Sequence, residues 1–140
     1  MTQEEKELLI KDLCSRLPYE CIISIAEGGI DGIQWADVTL NSYFFHQILE
    51  EDAWEYVKPY LRPMSSMTEE ERQEYNDLYY QVLIQRSNGN AYRDTKMVEA
   101  LHIDWLNKNM FDYRDLISKG LAIKANDNMY ISYETGRDKI

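Results

Sequence analysis

Three prolines, Pro18, Pro59 and Pro63, partition this chain. Proline lacks the amide that a helix interior requires and biases the preceding residue away from helical angles, so no regular helix runs through these positions. The first segment, MTQEEKELLIKDLCSRL, has room for one amphipathic helix. Thr2 stands three residues before Glu5, the spacing at which a threonine hydroxyl and a glutamate carboxylate satisfy each other's backbone amides. Leu9, Leu13 and Leu17, with Ile10 and Cys14, form its apolar stripe, and Pro18 ends it.

From Tyr19 the period becomes two. Cys21, Ile23 and Ile25 fall on one side of a predicted strand and Ser24 and Ala26 on the other, with Gly28-Gly29 as the reversal. A second strand falls between Ile30 and Leu40. Asn41-Ser42 reads as a turn, and YFFHQIL, Tyr43 to Leu49, as a third strand rich in aromatics. Short links between the three imply an antiparallel meander. Asp52 and Glu55 are spaced as a further capping box, opening a short helix through Trp54, Tyr56 and Val57 that Pro59 stops.

Beyond Pro63, Thr68 and Glu71 repeat the capping relation, and three glutamates in the first turn oppose the positive end of the helix dipole. Tyr75, Leu78, Tyr79, Val82 and Leu83 place one face inward as far as about Arg86. RSNGNAYRD, residues 86–94, reads as a loop, and a helix from about Thr95 to Asn109 carries Val98, Leu101, Trp105 and Leu106. Asp112 is spaced as the cap of a further short helix, with Asp115 at its third position and Gly120 past its end. LAIK, the turn AND (125–127) and MYIS predict a closing hairpin, and the tail from about residue 133 is expected to fray. The predicted fold is one α+β domain over residues 1–140: an N-terminal helix, a three-stranded antiparallel meander, helices packed on the sheet and a C-terminal β-hairpin.

A chain of 140 residues, 44% hydrophobic, has enough apolar surface to bury a core without metal or disulfide. Its eleven tyrosines suit half-buried surfaces and docking faces. The formal charge of −10, from 15 basic against 25 acidic residues, disfavours direct nucleic-acid binding, which draws on clustered Lys and Arg. It favours solubility and basic protein partners. The acidic N-terminus lacks the apolar core of a signal peptide, no run of 18 apolar residues exists, and Cys14 and Cys21 form no CxxC pair. The expectation is a soluble cytoplasmic protein with reduced thiols and no membrane association.

No residue set with a catalytic signature emerges. His46 and His102 lie in no metal-ligand spacing, and EGGIDGI lacks the lysine and hydroxyl of a phosphate loop. Cys21 and His46 would form a thiol dyad if their strands were adjacent, although nothing in the sequence activates the thiol. Asp104, Asp112 and Asp115 have no calcium-loop pattern. A small-ligand reading places Trp35, Tyr43 and Phe45 around an apolar pocket. A winged-helix-like nucleic-acid reading takes the last helix and hairpin as its wing, but the preceding helix offers only Lys96 and Lys108.

KELLIKDLCSRLPYE, KPYLRPMSSMTEEE and DWLNKNMFDYRDLISKGLAIKANDNMY together resemble blocks of a group of small uncharacterised proteins common in gut bacterial genomes and their phages or prophages. That group has no assigned activity, so the resemblance implies no catalytic, cofactor or metal site. The mobile-element setting it implies fits a host-directed accessory role, and the leading expectation is a non-enzymatic interaction protein, needing no cofactor, that inhibits or modulates a host protein. Glu70, Glu74 and Asp77, opposite the apolar stripe of their helix, are the candidate interaction surface.

Overall fold

The computed structural model describes residues 1–26, 36–85, 91–126 and 128–130, and for 81–85 and 91–95 the backbone alone. The first helix, α1 (Gln3–Arg16), begins with the predicted capping box. The Thr2 hydroxyl accepts from the Glu5 amide at 3.1 Å, and the Glu5 carboxylate accepts from the Thr2 amide at 2.8 Å. Leu9 and Leu13 on its inner face are fully buried. Pro18 converts the chain to a 3-10 turn over Leu17–Tyr19, and Glu20 in the left-handed region (φ +58°) redirects it into β1 (Ile22–Ile25).

The alternation read from Cys21, Ile23 and Ile25 holds: all three are fully buried. β1 pairs antiparallel with β2 (Ala36–Thr39), with Ile22 opposite Thr39 and Ile25 opposite Ala36. The reversal expected at Gly28-Gly29 lies outside the described residues.

The third strand is not where the aromatics suggested. Residues Tyr43 to Leu49 belong to a helix, α2 (Ser42–Glu51), because the Asn41 side chain accepts from the Phe44 amide at 2.9 Å and caps it. Phe44, Phe45 and Ile48 share the buried side at helical spacing, so packing overrides the β-preference of the aromatics. Asp52 does not open a helix. It closes α2 with φ +50°, its amide donating to the Ile48 and Leu49 carbonyls.

After a 3-10 turn at Trp54–Tyr56 comes β3 (Val57–Leu61), which contains Pro59. Pro59 faces Ile23 across the antiparallel β1–β3 pair. The Ala26 amide donates to the Tyr56 carbonyl, and counting in twos from that bond makes Pro59 a non-hydrogen-bonded position whose nitrogen turns away from β1. β4 (Ile123–Lys124) joins β3 only from Tyr60 onward, so no ladder bond requires the missing amide.

The sheet order is β2-β1-β3-β4, and β4 runs parallel to β3, with Tyr60 beside Ile123 and Leu61 beside Lys124. β4 is therefore not the first strand of a local hairpin. Asn128–Tyr130 is a turn, and the rest of the predicted second strand lies outside the described residues.

α3 (Glu69–Gln85) opens on the third predicted capping box, Thr68 with Glu71, at 3.0 and 3.1 Å. Its inward Tyr75 and Leu78 are half-buried, whereas Tyr79, expected inward, is 47% exposed; the side chains of Val82 and Leu83 lie outside the description. α4 (Ala91–Lys108) starts earlier than the composition of 86–94 suggested.

The segment after it is a series of turns rather than a helix. Asp115 takes φ +63° and breaks helical progression, while Gly120 takes φ +74°. Asp112 still caps it, accepting from the Leu116 and Ile117 amides at 2.8 and 2.9 Å.

One face of the sheet (Ile23, Ile25, Val57, Leu61) packs with Leu9, Leu13, Ile48 and Trp54 into the main core. A smaller cluster joins Trp105, Leu106 and Phe111 to Met67, Tyr75, Leu78 and Tyr113 beside the α3–α4 pair. Full burial of each aliphatic side chain contributes about 1.5–3 kcal/mol before entropy is counted.

Candidate functional site

The three glutamates that open α3 divide by role. Glu71 turns inward, where both carboxylate oxygens accept from the Arg62 guanidinium at 2.7 Å. Burial raises its carboxyl pKa, but hydrogen bonds from Arg62 and the Thr68 amide, with the Arg62 charge, outweigh that and hold it below the usual range. Arg62 also lies over the Phe111 ring at 4.2 Å, and its backbone bonds to the Met110 carbonyl and the Asp112 amide. Glu71 thus belongs to the joint between α3 and the end of α4.

Glu70 and Glu74 remain exposed, and neither forms an ion pair among the described residues. Asp77 is half-buried and accepts from the Gln73 amide group at 2.8 Å. Their spacing of four and three puts all three on one stripe of α3, but this stripe runs along the flank of the Tyr75–Leu78 face rather than opposite it as expected, since Glu74 stands one turn before Leu78. Tyr80, 59% exposed, continues this side one turn beyond Asp77 and meets Tyr79 edge to face at 5.6 Å. The sequence marks the carboxylates by their spacing; it gives no sign that Tyr79 would join the exposed surface.

The expected aromatic pocket does not assemble. On a strand Tyr43 and Phe45 would share a face, but two helical residues apart they diverge by about 200°. Tyr43 is 63% exposed and touches Phe44, whereas Phe45 packs edge to face on Trp54 at 5.7 Å. Trp35 lies outside the described residues.

The Cys21–His46 dyad does not form either. Cys21 is fully buried with Sγ 3.9 Å from the Tyr130 hydroxyl, and burial pushes its thiol up to about 12. His46 is on the exposed side of α2, paired with Glu50 at 3.1 Å. His102 stacks on Tyr75 at 4.1 Å and bonds to the Tyr75 carbonyl. Asp104, Asp112 and Asp115 do not converge: among the described residues no three His, Cys, Asp or Glu side chains are grouped to hold a metal ion.

A buried ionic joint went unread in the sequence. Asp12 and Arg16 are both fully buried on α1. The Asp12 carboxylate accepts two bonds from Arg16 and one from Arg114, at 2.9, 3.1 and 2.8 Å. Arg16 also donates to the Phe111 carbonyl at 2.7 Å, tying α1 to the segment after α4.

A cavity of about 380 Å³ opens nearby, where the Pro18–Glu20 turn, Ile22, Thr39, Lys108–Met110 and Met129–Tyr130 meet. Four separated segments build it, so no local pattern in the chain could have marked it.

Comparison with protein-family models, with curated proteins and with solved structures finds no match to this chain.

Proposed function

We propose that this chain is a small acidic interaction protein without catalytic chemistry of its own, which docks the outer side of α3 on a basic surface of a host protein and modulates it. The observation that carries this reading is the stripe of Glu70, Glu74 and Asp77 running to an exposed Tyr80. Two of its carboxylates have no cationic partner among the described residues. An unpaired acidic row steers a basic partner into register, and an adjacent tyrosine supplies the desolvated contact that rim charges do not. The overall charge of −10 extends the same field over the rest of the molecule. In this reading the chain acts as an accessory factor of the gut-bacterial phage or prophage type that its three sequence blocks resemble.

The test is capture of host proteins by the immobilised chain, at low and at high salt, beside two variants. One carries Glu70→Lys, Glu74→Lys and Asp77→Lys, and the other Tyr80→Ala. A stoichiometric basic partner that is lost at high salt, by the triple variant and by Tyr80→Ala supports the proposal. A partner retained by the triple variant removes this surface.

A further inference from the structure

We propose that the cavity at the base of β1 is a binding site for a small zwitterion with a large apolar side chain, of the size of an aromatic amino acid. At about 380 Å³ it lies within the range of small-molecule sites. Its walls are chemically mixed in an ordered way. Tyr19, Ile22, Met110 and Met129 supply apolar surface, and Met110 is almost wholly buried.

Charge is confined to one residue of each sign, Glu20 and Lys108. Both are exposed, and neither forms an ion pair among the described residues. A ligand with only a carboxylate would leave Glu20 as a repelling neighbour, and one with only an amine would meet Lys108 in the same way. A zwitterion satisfies both. Asn109 adds a neutral acceptor to the lining: its amide nitrogen is committed to the Trp105 carbonyl at 2.9 Å, which leaves its side-chain oxygen free to accept.

The backbone presets part of the site. Glu20 and Met110, at φ +58° and +62°, are non-glycine residues in the left-handed region, and both line this cavity. Both close a helical segment, Glu20 after the Leu17–Tyr19 turn and Met110 after α4, where the Phe111 amide donates to the Leu106 carbonyl at 2.9 Å, so these two walls are set by helix ends. Tyr130 closes the inner end with its hydroxyl already engaged by the Ile22 amide and the Tyr60 carbonyl, so this wall is fixed before any ligand arrives.

The test is calorimetric titration of the full chain with L-tryptophan, N-acetyl-L-tryptophan and L-tryptophanamide, with amide shifts mapped by NMR. Tryptophan is expected to bind one to one and to shift residues 18–22, 108–110 and 129–130. Each blocked analogue should bind at least about tenfold more weakly, as loss of a charge-assisted hydrogen bond predicts. Lys108→Gln should weaken tryptophan by a similar factor and leave tryptophanamide unchanged, and Glu20→Gln should do the converse with N-acetyltryptophan. Both side chains are exposed, so the variants should keep the parent fold by circular dichroism. Absence of tryptophan binding at millimolar concentration overturns the proposal. Equal binding of the blocked analogues, or shifts mapping elsewhere, overturns it as well.

Discussion

The Tyr130 hydroxyl accepts the Ile22 amide hydrogen at 3.0 Å and donates to the Tyr60 carbonyl at 2.7 Å. Counting in twos along β1 and β3, Ile22 and Tyr60 would be the next hydrogen-bonded pair after Ser24 and Lys58. A phenol from the far end of the chain stands in place of that ladder bond. Burial and the neighbouring Cys21 raise the Tyr130 hydroxyl pKa, so it stays a donor at ordinary pH. Tyr130→Phe orphans one backbone donor and one acceptor at a mostly buried position and should lower stability by about 2–4 kcal/mol. Urea unfolding measures this, and a loss below 1 kcal/mol, within about the usual range of a surface change, would show that water replaces the phenol.

Asp12→Ala should cost about 3–5 kcal/mol, because it leaves the fully buried Arg16 facing Arg114 without a counter-charge. Lys6→Ala, which removes the partly exposed partner of Asp52, should cost less than about 1 kcal/mol. Equal losses in parallel denaturation curves would contradict this ranking.

Glu71 predicts an acid-sensitive joint. Its folded pKa lies below the unfolded value of 4.5, so the unfolded chain binds more protons as pH falls. The stability it contributes is fully present above pH 4.5 and is lost as pH drops through the folded value. Glu71→Gln should therefore be less stable than the parent at pH 7 and show a shallower decline between pH 5 and 3. Parallel curves over that interval would assign the acid sensitivity to another carboxylate.

The two cysteines should separate cleanly in a thiol assay. Cys14 is exposed, whereas Cys21 is fully buried and its thiol is pushed up to about 12. At pH 8 Cys14→Ser protein should react only as fast as it opens, and Cys21→Ser protein should react at once. Rapid modification of both variants would show an open route to Cys21.

Replacing Glu70, Glu74 and Asp77 together by Lys should leave stability within about 1 kcal/mol, since these carboxylates form no ion pair among the described residues. A larger loss, read from thermal unfolding, would place the stripe against the rest of the protein.

What could be read in the chain was what its neighbours decide. Thr2 with Glu5, and Thr68 with Glu71, are three-residue relations, and the structure forms both. The alternation of Cys21, Ile23 and Ile25 likewise survives because one face of β1 meets a core. The segment after Asn41 misleads because aromatic composition suggests a strand, whereas a single side-chain cap and the Phe44–Phe45–Ile48 side settle it as helix. Pro59 misleads in the opposite way, since a sheet tolerates it only at a position whose free side no neighbour pairs. For the sites, helical spacing aligns Glu70, Glu74 and Asp77 on one stripe, whereas their exposure depends on how far the neighbouring Leu78 sinks into its cluster. The cavity depends on residues 18 to 130 meeting, which no window of sequence contains.

The parallel pairing of Tyr60 with Ile123 has a consequence for synthesis. During translation β3 leaves the ribosome long before β4, and the bond-forming edge from Tyr60 to Leu61 waits through the whole of α3 and α4. A nascent chain of this kind carries an open strand edge at least while residues 62–122 are made, the feature by which incomplete chains adhere to one another. Slow elongation between residues 62 and 122 would lengthen that exposure, so production of soluble protein should depend on codon choice there and on chaperones that shield extended segments.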